Sequence, residues 1–288
     1  MPSTMHCEPN SRAPALPAGA TDAHVHVFDP QRHPYAPDAA YRPQPHECGT
    51  ADDLAATLAS HGVDRVVIVS PTAGYRDDMR CMLDAVERLR GRACGIARGP
   101  LDVSTRDLKR WKARGVAGFR VDLVADGLPG GVPALATLAA RLADLDLVLD
   151  LQCEADGFAA VGACLAAAPV RVVVDHMGRP DVARGASQRG FRALLEAMSG
   201  GRCWVKLSGA MRFSRKPPPH ADVDRFVARL LAEGGPGRLV WGSDWPFLRT
   251  DRRVDYGPML AQLAAWVPDA RQRRRILADT PADLFGFG

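Results

Sequence analysis

Lysine is scarce in this 288-residue chain: of its 37 basic residues only Lys109, Lys112, Lys206 and Lys216 are lysines, and the rest are arginines. Those arginines are scattered through Ala- and Leu-rich stretches. No basic run carries interleaved aromatics, so the net charge of +4 reads as solvated helix faces rather than a nucleic-acid surface. An anionic small molecule remains compatible with it. Paired cysteine motifs are also missing. The seven cysteines (Cys7, Cys48, Cys81, Cys94, Cys153, Cys164, Cys203) include no C-x-x-C, and their odd number argues against a disulfide framework. Most sit in apolar patterns, where a free thiol behaves as a small hydrophobe, and a reducing cytoplasm is the expected compartment. No stretch of about 18 apolar residues occurs, so no membrane span is expected. Residues 1–19 lack the charged-then-apolar order of a signal peptide and read as a flexible tail before a single domain over 20–288.

What the chain does contain is alternation. Short β-branched runs at 21–28, 65–70, 93–98, 116–123, 147–153, 170–177, 203–209 and 238–244 predict strands. Between and after them, apolar residues recur at helical spacing over 51–60, 77–90, 104–114, 133–144, 155–167, 188–199, 222–233 and 255–266. Eight β-then-α units predict a (β/α)8 TIM barrel, an α/β fold. An open doubly wound sheet would carry a glycine-rich turn after its first strand. That place holds Asp29-Pro30-Gln31-Arg32-His33 instead. The segment 29–50 is too long for a plain connection and reads as a functional loop over the barrel mouth.

Active sites of such barrels lie at the C-terminal ends of the strands. In Asp22-Ala23-His24-Val25-His26 the period of a strand turns both imidazoles to one face, where they could hold a metal or polarise a carbonyl. Ser70 ends strand 2 and Thr72 follows it, Arg120 lies on strand 4, and strand 5 ends near Gln152. His176 and Arg179 follow strand 6, Arg212 follows strand 7, and Asp244 ends strand 8 after an apolar run. A carboxylate in that position is seldom buried without a role. Asp122 and Asp150 also fall on strands and read as structural.

The H-x-H, Val174-Asp-His-Met-Gly-Arg-Pro180 and Trp241-Gly-Ser-Asp-Trp-Pro246 together resemble the amidohydrolase superfamily, most closely its 2-pyrone-4,6-dicarboxylate lactonase-like branch. The resemblance runs from residue 21 to Gly286. It implies a hydrolase (carboxylic ester bond) opening a small carboxylated lactone, either 2-pyrone-4,6-dicarboxylate-like or a sugar-acid lactone. In that reading Asp244 activates water, while His24, His26 and His176 stabilise the oxyanion. Arg120, Arg179, Arg212, Ser70, Thr72, Tyr41 and Gln152 hold the substrate. Metal-dependent members carry Lys or Glu on strand 4 and His on strand 5, where this chain has Arg120 and Gln152. No cofactor is therefore expected. The alternative is a zinc-dependent amidohydrolase or non-oxidative decarboxylase with His24, His26, His176 and Asp244 as ligands. Two departures bear on the substrate: the loop Leu123-Val-Ala-Asp-Gly127 has an acid where the branch has a second arginine, and Gln152 stands where close lactonases have tyrosine.

Overall fold

The β-branched runs become parallel strands because each is apolar on both faces and must be covered on both. The computed structural model describes residues 15–250 and 254–287, so most of the expected tail, with Cys7, lies outside the described residues. The strands are β1 (Thr21–Val25), β2 (Arg65–Val69), β3 (Ala93–Arg98), β4 (Val116–Asp122), β5 (Val148–Gln152), β6 (Val172–Val174), β7 (Cys203–Leu207) and β8 (Leu239–Trp241). They pair in sequence order, all parallel. The ring is closed by the Val25–Trp245 bridge and by two backbone bonds, from Asp244 to the His24 carbonyl and from His26 to the Trp245 carbonyl. This is the expected (β/α)8 barrel.

Around it lie α1 (Ala51–His61), α2 (Arg80–Arg88), α3 (Thr105–Lys112), α4 (Gly131–Asp144), α5 (Gly157–Ala167), α6 (Arg189–Ser199), α7 (Asp224–Gly234) and α8 (Tyr256–Trp266). Local signals set their ends. Thr50 and Asp53 form a reciprocal capping box on α1, and Ser104 caps α3 through the Asp107 N–H. A last helical segment ends in α9 (Thr280–Phe285) and brings Leu284 and Phe285 beneath the barrel.

Two apolar clusters result. The large one fills the space between strands and helices. The small one (Ala23, Val67, Val69, Cys94, Ile96, Val148, Val173 and Val240, with Leu284 and Phe285) fills the lower interior of the barrel. Continuing each inward series one step up the strand changes its chemistry: Val148 is followed by Asp150, Val173 by Asp175, and Gly118 by Arg120. The upper interior is therefore charged while the lower half is oily.

Candidate functional site

The histidine pair of β1 is aimed by an irregularity as well as by strand period. Asp22 pairs with Val66 and Val25 with Ile68, so three steps on β1 oppose two on β2. The extra residue is a bulge, which redirects side chains. Ala23 stays in the inner cluster, yet His24 also reaches the interior and Asp22 contacts Tyr256 of α8. His24 Nε2 and His26 Nε2 stand 3.3 Å apart, and His26 Nδ1 donates to the Val69 carbonyl at 2.8 Å. Burial lowers both imidazoles to about 4, so both are neutral near neutral pH.

Strands β6 and β8 stop earlier than their apolar runs suggest, because the chain turns sharply at the mouth. His176, Met177, Gly178 and Arg179 all take left-handed backbone, as does Asp244. His176 packs 4.6 Å from the His24 ring, centroid to centroid, and its Nδ1 meets Ser208 Oγ at 2.9 Å. A Cβ on Gly209 would come within 2.4 Å of that same Nδ1, so only glycine lets the imidazole lie there. Asp244 sits 3.8 Å from both His24 Nε2 and His26 Nε2, and Arg212 Nε donates to its other oxygen at 2.6 Å. Burial alone would raise the Asp244 carboxyl. Arg212 and the three histidines outweigh burial and hold it well below the usual carboxylate range.

The expected binding residues line, or lie beneath, one cavity of about 1110 Å³, to which His26, Tyr41, Thr72, Arg120, Gln152, His176, Arg179, Arg212 and Asp244 all contribute. Their forks are less free than expected. Arg120 lies 3.1 Å from Asp175 and donates to the Gln152 side chain. Arg179 pairs with Glu154 at 3.2 Å, the Thr72 hydroxyl donates to Asp122 at 2.9 Å, and Tyr41 donates to Glu47. Ser70 Oγ is buried and has no hydrogen-bond partner among the described residues. The acid at 126 has a use that the chain's linear order hides. Asp126 pairs at 2.6 Å with Arg98, a nearly buried guanidinium that β3 brings to the same cavity.

Of the groups underneath, the sequence marked only Asp150, as structural. Lys206 of β7, Asp150 of β5 and Asp175 are all wholly buried. Lys206 Nζ lies 2.5 Å from Asp150, 2.9 Å from Asp175 and 3.1 Å from His24 Nδ1. With Arg120 they form a patch of two cations and two carboxylates, as burial requires. The signal was there: a lysine at an inward position of the apolar run Cys-Trp-Val-Lys-Leu.

Asp22 was likewise unassigned. It accepts from the Ser243 N–H at 2.9 Å, the His24 N–H at 3.1 Å and Tyr256 Oη at 2.8 Å, tying β1 to the turn that carries Asp244. Burial pushes its carboxyl up to about 6. An asparagine satisfies the same three groups by accepting both N–H bonds and donating to the tyrosine oxygen. Asp22→Asn is therefore expected to stay within about 1 kcal/mol of the parent, while Asp22→Ala loses about 3 kcal/mol by orphaning buried donors. Chemical denaturation of both variants at one pH checks this.

The metal-ligand question turns on donor geometry. His24 Nε2, His26 Nε2 and an Asp244 oxygen lie within 4.8 Å of one another, and three such ligands suit a tetrahedral zinc ion with an open position. The residues fit a divalent ion.

Comparison with known proteins agrees with this architecture. The chain is 35% identical over 281 residues to a 4-sulfomuconolactone hydrolase of Rhizobium radiobacter, covering 94% of this chain and 91% of the relative. It is 33% identical over 285 residues to a 2-pyrone-4,6-dicarboxylate hydrolase of Comamonas testosteroni, at 94% and 91% coverage. A solved Pseudomonas putida structure, named as a candidate 2-pyrone-4,6-dicarboxylic acid hydrolase, superposes with a TM-score of 0.83 at 30% identity, covering 94% of this chain and 99% of that one. The family model described as Amidohydrolase matches residues 21–287, and with the histidine pair, the strand 6 histidine and the strand 8 aspartate in one barrel mouth, this chain belongs to the amidohydrolase family.

Proposed function

We propose that the protein hydrolyses a small anionic lactone, with a ring carboxylate as the group its arginines recognise. The observation that carries this reading is Asp244, ionised and buried between two neutral histidines at the foot of an arginine-lined cavity. Relatives named as hydrolases of 4-sulfomuconolactone and of 2-pyrone-4,6-dicarboxylate support it.

The chemistry follows from the groups. A water held by Asp244 attacks the lactone carbonyl carbon, and Asp244 takes its proton. The carbonyl oxygen becomes an oxyanion that accepts hydrogen bonds from the imidazole N–H groups of His24 and His176, each such donor being worth roughly 10²–10³ in rate. His26, expected as a third donor, is neutral and gives its one proton to the Val69 carbonyl. The C–O bond of the ring then breaks, and Asp244 returns the proton to the departing oxygen. The product is a ring-opened acid with a free hydroxyl or enol. A base held far below the usual range is a weak one, and Arg212 is the chief cause. A substrate carboxylate that shares Arg212 loosens its hold on Asp244, which gains basicity when water must be deprotonated. Arg179 and Arg120, each paired with a carboxylate, and Arg98, shared by Asp77 and Asp126, also border the cavity.

His24, His26 and Asp244, with His176 beside them, would hold a divalent ion, which would polarise the same carbonyl. Arg212 Nε, 2.6 Å from Asp244, already neutralises the carboxylate that an ion would need, and this supports the metal-free route. A screen of carboxylated and sulfonated lactones, followed by proton release with and without chelator, tests both points. Turnover of a carboxylated lactone that survives chelator is the expected result. Failure on every anionic lactone overturns the hydrolase reading, and stoichiometric zinc with chelator-sensitive turnover overturns the metal-free one.

A further inference from the structure

Lys206 has no part in the reaction just described, yet it is wholly buried and touches a catalytic histidine from behind. We infer that Lys206 is a positioning residue that fixes the tautomer of His24, placing its single proton on Nε2, where it can be donated to the developing oxyanion. The inference deepens the lactonase reading and rests on it only for the use made of that proton.

An ammonium has three N–H donors and no acceptor. The three partners of Lys206 are Asp150 at 2.5 Å, Asp175 at 2.9 Å and His24 Nδ1 at 3.1 Å, so the third donor either reaches that nitrogen or is left unpaired in the barrel interior. A second constraint comes from the other side of the ring. His26 Nδ1 faces a carbonyl oxygen, which can only accept, so His26 carries its proton there and its Nε2 is bare. His24 Nε2 lies 3.3 Å from that bare nitrogen. With the proton of His24 on Nε2 this contact is a hydrogen bond, which the oxyanion takes over as it develops, and without it two lone pairs face each other.

Asp175 pulls the other way, because its Oδ1 lies 3.0 Å from His24 Nδ1 and would accept a proton from it. That oxygen already receives a Lys206 N–H, and the ammonium beside it neutralises the lone-pair contact. One tautomer thus satisfies Lys206 and His26 together, and the other satisfies Asp175 alone. His24 is neutral in both, so no proton is gained or lost. The second tautomer turns a bare Nε2 toward His26, as a metal ligand would, and Lys206 therefore biases this chain toward donation and away from ligation.

Two-bond ¹H–¹⁵N correlation spectra of labelled, chelator-treated protein test this, with His24 assigned by the signal lost in His24→Gln. The expected pattern has His24 protonated on Nε2 in the parent and on Nδ1 in Lys206→Met, where Asp175 becomes its partner. A parent His24 protonated on Nδ1 overturns the inference, as does a Lys206→Met spectrum unchanged from the parent. If that variant does not fold, Lys206→Arg, which has donors and no acceptor, is the second test: it should keep the proton on Nε2, and a proton on Nδ1 there overturns the inference. The readout needs no substrate, so it stands or falls separately from the lactone screen.

Discussion

Replacing Asp244 by asparagine is expected to lower kcat on the lactone about a thousandfold, inside the span of roughly 10²–10⁴ that a positioned acid–base group contributes. The side chain keeps its size and can still accept from Arg212 Nε, which lies 2.6 Å from one carboxylate oxygen. Its backbone bond to the His24 carbonyl, which fixes the left-handed turn, is untouched. The loss is therefore one of proton transfer, and KM should move less than threefold if substrate is held by the arginines. Steady-state kinetics on any lactone that the parent opens provide the measurement. A variant that keeps more than a tenth of the parent kcat removes Asp244 as the base. A variant that loses only affinity makes Asp244 a binding group.

That aspartate could be found in the sequence because it ends an apolar run, where a charge is conspicuous. The same contrast marked His24 and His26, and the strand–helix alternation was enough for the barrel. Other features were hidden for physical reasons. The β1 bulge depends on register against β2, which no single strand specifies. The early ends of β6 and β8 come from left-handed backbone at His176 and Asp244, which these residue types adopt only because surrounding contacts hold them. The patch of Lys206, Asp150, Asp175 and Arg120 is dispersed over three strands and the turn after β6. Each charge alone looks like an anomaly in an oily run, and only adjacency in the closed ring makes them a neutral set. The acid at 126 was the most misleading position. It departs from the branch pattern as a lone residue, but in the fold it shares the Arg98 guanidinium with Asp77.

The arginines differ in a way that the sequence could not rank, and paired substitutions should separate them. Arg120→Met removes a cation 3.1 Å from Asp175, a carboxylate with no exposure. Breaking a buried pair from one side leaves an uncompensated charge, so a stability loss of about 3–5 kcal/mol is expected. Arg179 faces Glu154, whose side chain is 53% exposed and can be solvated when its partner leaves. Arg179→Met should then cost less than about 1 kcal/mol in stability. Its expected effect is on recognition: loss of a charge-assisted contact to a substrate carboxylate, at roughly 1.5–3 kcal/mol, raises KM about 10–100-fold with kcat nearly kept. Urea denaturation and steady-state kinetics on both variants give the comparison. Near-parent stability for Arg120→Met would mean that Lys206 alone balances Asp175. An unchanged KM for Arg179→Met would mean that the substrate carboxylate is held by another arginine of the cavity, such as Arg212.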